Sequence, residues 1–218
     1  MAALFLAALV LIHIPSCGVC APVPNPASGT AQVEPLTGNL ALSIEGGALT
    51  SNGHPVKAGY FIPYGATLRL TSEGKAVVRF GGEGALLLKG PAVLRLTRGR
   101  HPGAELTQGG LLGVLPRLRN PFYVQTRSVL VAIHGGVSAA HEFYMEARGR
   151  DETYFCMCSG EAEVSQAREG RFKAALSSTR HKSYDFRLSQ SVLLQSEVPA
   201  EHHTDAEIEM LRSTVKAH

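Results

Sequence analysis

From about Leu40 onward the chain alternates short apolar runs with turn residues. The runs include Leu68-Arg69-Leu70, Ala76 to Phe80, Ala85 to Leu88, Ala92 to Leu96, Leu111 to Leu115, Phe122 to Thr126 and Val129 to Ile133. Between them stand Glu73-Gly74, Gly81 to Gly84, Gly90-Pro91, Arg98-Gly99, Gly109-Gly110 and Gly135-Gly136. Strand-length runs spaced by Gly and Pro predict an all-β sandwich, barrel or solenoid. Within Ala92 to Leu96, Val93 and Arg95 alternate with Leu94 and Leu96, which gives one wet face and one dry face. Arg69 and Arg79 read the same way, as solvated positions on strands. Ser165 to Ser178 has a turn at Glu169-Gly170 and predicts a last hairpin.

The periodicity changes near the end. Thr204-Asp205-Ala206-Glu207 is a capping box, with Thr204 as N-cap and Glu207 three residues on. Ile208, Leu211 and Val215 follow at helical spacing. A helix over about 205–216 is predicted, packed on the β body.

The first residues, MAALFLAALVLIHIPS, are apolar without Lys or Arg. Met1 to Ile14 falls short of the roughly 20 residues that span a bilayer and suits the apolar part of a secretion signal. Ile14-Pro15-Ser16-Cys17 loosely resembles a lipobox, whose Cys takes a lipid; Val19-Cys20-Ala21 suits ordinary cleavage. Residues 22–39 are rich in Pro, Ala, Ser and Gly and read as a linker. The expected order is a signal or lipoprotein signal over 1–21, the linker, a β domain over 40–178, and a C-terminal extension over 179–218. The expected location is outside the cytoplasm, periplasmic or lipid-anchored, with membrane contact only through that anchor.

Composition narrows the functional classes. The chain has 218 residues, 44% of them hydrophobic and 18% charged, enough for one core and against a disordered tail protein. The net charge is +3 with no basic run, so no nucleic-acid partner is expected. No catalytic set is found, and the chain reads as non-enzymatic. His141-Glu142 starts like a zinc-protease motif, but Met145 stands where the second His belongs. There is no Gly-x-Ser-x-Gly elbow. Glu161 and Glu163 read as a solvated strand face.

Residues 56–165 resemble the FecR domain of bacterial envelope proteins. The phrases that carry this are Val56-Lys57-Ala58-Gly59, Gly84 to Leu96 with Gly90-Pro91-Ala92, and Glu105 to Leu112. Pro121-Phe122-Tyr123-Val124-Gln125-Thr126 is similar to the family's P-F-x-V-x-T, and Val129 to Ile133 and Gly160 to Val164 follow in order. Where the family has Arg-Gly-Thr, this chain has His134-Gly135-Gly136. The resemblance implies a FecR-like β-solenoid or sandwich of short strands with a short C-terminal helix. It also implies a binding or signalling module of the envelope, whose partner would be a protein or a glycan such as peptidoglycan. Founding members relay a signal to a sigma factor through a cytoplasmic region; that role is not carried over. A purely structural envelope lipoprotein is the further alternative.

One pair of residues offers chemistry. Cys156 and Cys158 lie in the strand-like run Tyr154-Phe155-Cys156-Met157-Cys158. Strand period is two, so both thiols share a face. Their Cα atoms should lie about 6.5–7 Å apart, and a disulfide prefers about 5.5–6 Å. A bridge there would be strained, whereas two thiolates on one face can chelate a soft metal. His181 and His203 lie downstream and complete a Cys₂His₂ set; His202 shares their neighbourhood. The readings are an inert buried pair, a strained or intermolecular disulfide, and a site for zinc, copper, iron or haem. Cys20 could pair with one of the two if processing spares it. His54 and His101 precede Pro-containing loops and read as exposed; His134 reads as a strand-end residue.

Overall fold

The computed structural model describes residues 39–80, 84–98, 102–116, 118, 120–134, 140–169 and 171–216. The expected signal segment and nearly all of the linker, with Cys17 and Cys20, lie outside them, as does His101. Among the described residues the chain forms fifteen strands and one helix. The strands are β1 (Asn39–Glu45), β2 (Leu49–Ser51), β3 (His54–Val56), β4 (Phe61–Ile62), β5 (Thr67–Leu70), β6 (Lys75–Phe80), β7 (Gly84–Arg98) and β8 (Pro102–Leu115). After them come β9 (Phe122–Gln125), β10 (Val129–Ile133), β11 (His141–Arg148), β12 (Glu152–Gln166), β13 (Phe172–Ser178), β14 (Lys182–Ser189), β15 (Val192–Val198) and the helix α1 (Asp205–Lys216).

Three long strands, β7, β8 and β12, each take part in two layers. The first half of β7 pairs with β6, and its second half with β5. The first half of β8 runs parallel to β9, and its second half pairs with β11. The first half of β12 lies between β11 and β14, and its second half between β10 and β13. One layer is thus β4-β1-β6-β7-β8-β11-β12-β14-β15, and the other is β3-β2-β5-β7-β8-β9-β10-β12-β13. The main core lies between them, where Phe80, Phe122, Phe143 and Phe155 are fully buried among Leu, Val and Ile.

Two expectations are corrected here. Gly90-Pro91 and Gly109-Gly110 do not end strands: β7 and β8 run through them. The pairing register shifts between Lys89 and Val93, and again between Val93 and Leu94. Gly109 takes φ +81° there, packed against Pro91 and Ala92, a conformation glycine adopts at little cost. The residues after 178 are not an extension with a helix alone: β14 and β15 add two antiparallel strands beside β12. The alternation Tyr184, Phe186 on the core side is the physical reason, since both rings join the main cluster.

Both faces of the first layer are apolar. Phe155 and Met157 of β12 point into the main core, whereas Tyr154, Cys156 and Cys158 point outward. The outward side also carries Val77, Leu87, Leu112, Val114 and Tyr144, and α1 covers it with Ile208 and Leu211. The helix starts at a reciprocal capping box: the Glu207 N–H donates to Thr204 Oγ1 at 3.2 Å, and the Thr204 N–H donates to Glu207 Oε2 at 3.0 Å. Among the described residues no helix is long and apolar enough to cross a membrane.

Candidate metal centre

Strand alternation places Cys156 and Cys158 on the outward face of β12, with their sulfurs 3.8 Å apart. Both thiols are buried and free of any disulfide. The chain leaves β13 at Ser178 and, after a short turn, runs on in the same direction along the other half of β12 as β14. His181 occupies that turn with φ +40°, and its N–H donates to the Cys158 carbonyl at 3.1 Å. The turn thus lays the His181 ring over the two sulfurs. Past β15 the chain crosses the same face. The Glu201 N–H donates to the Tyr154 hydroxyl at 2.8 Å, and the Lys89 ammonium donates to the His202 carbonyl at 2.7 Å. This crossing delivers His203, one residue before the N-cap of α1.

The four ligand atoms converge. Cys156 Sγ is 3.8 Å from His181 Nδ1, Cys158 Sγ is 3.3 Å from His203 Nε2, and the two nitrogens are 3.2 Å apart. All four lie within 4.8 Å of one another. A tetrahedron with Zn–S of about 2.3 Å and Zn–N of about 2.05 Å has edges of about 3.8 Å between sulfurs and 3.3 Å between nitrogens. The observed S–S and N–N separations match those edges.

The outer partners are those a metal site needs. His181 Nε2 is 3.1 Å from Asp205 Oδ1, and His203 Nδ1 is 2.8 Å from the Glu201 carbonyl. Each imidazole therefore donates with one nitrogen and presents the lone pair of the other to the sulfurs. The His203 ring is further held by stacking on Tyr144, with centroids 5.1 Å apart and planes at 20°.

The electrostatics favour one thiolate. The Cys158 S–H donates to Cys156, which holds the Cys156 thiol down to about 4 against the opposing effect of burial. His203, Ser183 and His181 lower it further. Cys158, which keeps that proton, is pushed up by the same bond, by burial and by the Cys156 charge. Burial works against a charge on His181, but Cys156 and Asp205 outweigh it and raise its pKa. An arriving dication would replace these protons with a single positive centre. A cleft of about 380 Å³, lined by Glu142, Cys158, His181, Asp205, Ile208 and Arg212 among others, reaches the site from solvent.

The structure thus brings together Cys156, Cys158, His181 and His203. It sorts the remaining candidates elsewhere. His202 points away, with Nε2 2.7 Å from an Arg148 Nη and its ring edge-on to Tyr154. His134 faces Glu163 at 3.5 Å, and His54 is exposed on β3. His141 and Glu142 lie on strand β11 rather than on a helix, which removes the protease-like reading. Glu142 instead pairs with Arg212 of α1, at 2.5 and 2.8 Å. Asp205 was legible only as a helix-start residue; its position two residues after a candidate ligand was the available signal.

Compared with known proteins, the chain matches no family model and no curated protein. It is similar to two crystal structures of proposed anti-sigma factors from Parabacteroides distasonis. The first, at 1.65 Å resolution, has a TM-score of 0.48 and 16% identity, over 62% of this chain and 60% of that one. The second, at 2.50 Å, has a TM-score of 0.37 and 13% identity, over 74% of this chain and 60% of that one. The chain spans about 60% of the length of each.

Proposed function

We propose that the protein is an exported, non-catalytic binding module whose β body carries a closed Cys₂His₂ zinc centre. One observation carries this reading: four ligand atoms from three separate stretches of chain meet within 4.8 Å. A mixed thiolate and imidazole set in tetrahedral proportions favours zinc among the common metals. Four protein ligands leave no open position, the mark of a structural rather than a catalytic site. The convergence also argues against haem, because ligand atoms this close leave no room for a macrocycle between them. Export is supported by the apolar segment Met1 to Ile14 and the linker after it.

The wider role we infer is that of an envelope binding or regulatory module. It is supported by the ordered FecR-like phrases across residues 56–165, and its partner would be a protein or a glycan.

The deciding experiment is elemental analysis of the protein purified anaerobically, with peptide-resolved alkylation of Cys156 and Cys158. The expected result is close to one zinc per chain, with both thiols protected until a chelator is added. Cys156→Ser and His181→Ala should each abolish stoichiometric metal. Metal-free protein whose two thiols alkylate freely after incubation with zinc would overturn the reading.

A further inference from the structure

The geometry points to a metal-operated clasp: occupancy of the Cys₂His₂ centre governs whether α1 stays docked on the outward face of the sheet. This inference rests on the zinc reading above and adds a consequence to it.

The four ligands are not equivalent in the fold. Cys156 and Cys158 belong to β12, and His181 lies in the turn immediately before β14, tied to β12 through its N–H, so three ligands are fixed to the sheet. His203 belongs to the root of α1, immediately before the N-cap Thr204. A bound ion would therefore tie the helix to the sheet through one imidazole. Asp205, the first residue of α1, reinforces the same joint by its contact with His181.

Without that joint the helix is weakly held. It has twelve residues, a length at which isolated helices are marginal in water. It buries two apolar side chains fully, Ile208 and Leu211, and Val215 in part. Its charged contacts lie at the edges: Glu207 with Lys75 and Lys89, and Arg212 with Glu142. Of these, the Lys75–Glu207 pair is about half exposed at the lysine, where an ion pair contributes little, and Arg212, anchored on the buried Glu142 carboxylate, is the stronger tie. In the absence of a metal, His203 is held by a 3.3 Å sulfur contact, its ring stack and one carbonyl.

Release of α1 would uncover Val77, Leu87, Leu112 and Tyr144, a contiguous apolar face edged by Lys75 and Lys89. Residues 199–202 would stay clamped by Tyr154 and Lys89, so the motion is confined to 203–216. In the metal-loaded protein the occupant of this face is α1 itself. The metal thus sets whether the face is covered or open.

Hydrogen–deuterium exchange of the full chain, zinc-loaded and after chelation, tests this, with zinc measured on the same samples. Amides of 204–216 should exchange at least roughly tenfold faster after chelation, while β7, β8 and β12 keep their protection. Zinc added back should restore the slow exchange. His203→Ala in excess zinc should behave like the chelated protein. Absence of bound zinc in the starting sample and after zinc addition overturns the metal reading itself. Bound zinc with unchanged exchange of 204–216 after its removal overturns the clasp and leaves the metal centre standing. Loss of protection across the whole body also overturns the clasp, since the metal would then hold the entire fold.

Discussion

Asp205 Oδ1 lies 3.1 Å from His181 Nε2 across 24 residues of chain, and this contact orients the Nδ1 lone pair toward the sulfurs. Loss of such a partner typically lowers metal affinity 10–100-fold. The Asp205 side chain is 92% exposed, so water can replace it in part. Asp205→Ala should therefore weaken zinc binding by about tenfold, at the low end of that range. Asp205→Asn, which keeps an acceptor, should lose less. Competition with a chromophoric chelator measures both.

Glu207 is the most connected acid at the helix root. Burial opposes its charge, but bonds from Lys75 and Lys89 outweigh burial and lower its pKa below the ordinary 4.5. A carboxylate lowered by folding stabilises the native state above its unfolded pKa, and that contribution is lost as pH falls through the folded value. Glu207→Gln should thus cost about 1 kcal/mol of helix docking near neutral pH, the scale of a lost cap. The gap between wild type and variant should close as pH drops below 4.5. Denaturant titrations at a series of pH values, followed by a probe attached to α1, measure the gap.

The placement of the site was legible where strand or helix period decided it. Cys156 and Cys158 had to share a face once their segment was a strand, and Ile208 and Leu211 had to share one once the capping box set the helix. The expected ligand set took His203 rather than His202, but no strand or helix period decided between them. Adjacent residues project in different directions, and only the left-handed turn at His202, φ +68°, settles which ring reaches the sulfurs. The strand boundaries misled for a similar reason. Gly90-Pro91 and Gly109-Gly110 carry the residue types of turns, yet here they serve shifts of register inside long paired strands. β14 was missed because Arg180-His181-Lys182 reads as a polar loop, while the alternation of Tyr184 and Phe186 begins only after it.

Gly113 sits on β8 opposite Phe143 of β11. A Cβ there would overlap the Phe143 ring, which stands between Phe122 and Phe155 with centroids 6.4 Å from each. The ring has no free direction in which to yield, because all three aromatics are fully buried. Gly113→Ala should destabilise the protein by about 1–3 kcal/mol, the usual cost of overpacking. Phe143→Leu in the same chain should recover part of that loss. Chemical denaturation of the two variants and the double variant separates the terms.

Arg212 and Glu142 join α1 to β11 by two hydrogen bonds, at 2.5 and 2.8 Å. The Glu142 side chain is only 4% exposed, whereas Arg212 is 43% exposed. The two partners are therefore unequal: removal of the arginine strands a buried carboxylate, and removal of the carboxylate leaves a guanidinium that water can reach. Arg212→Ala should cost roughly 2 kcal/mol, a value discounted from a fully buried pair because the cleft admits water. Glu142→Gln should cost less, and Glu142→Gln combined with Arg212→Ala should be more stable than Arg212→Ala alone. That order gives a favourable coupling energy in a double-mutant cycle, read from unfolding midpoints with zinc held saturating. Equal losses in both single variants would show instead that the helix contact, rather than the stranded charge, sets the cost.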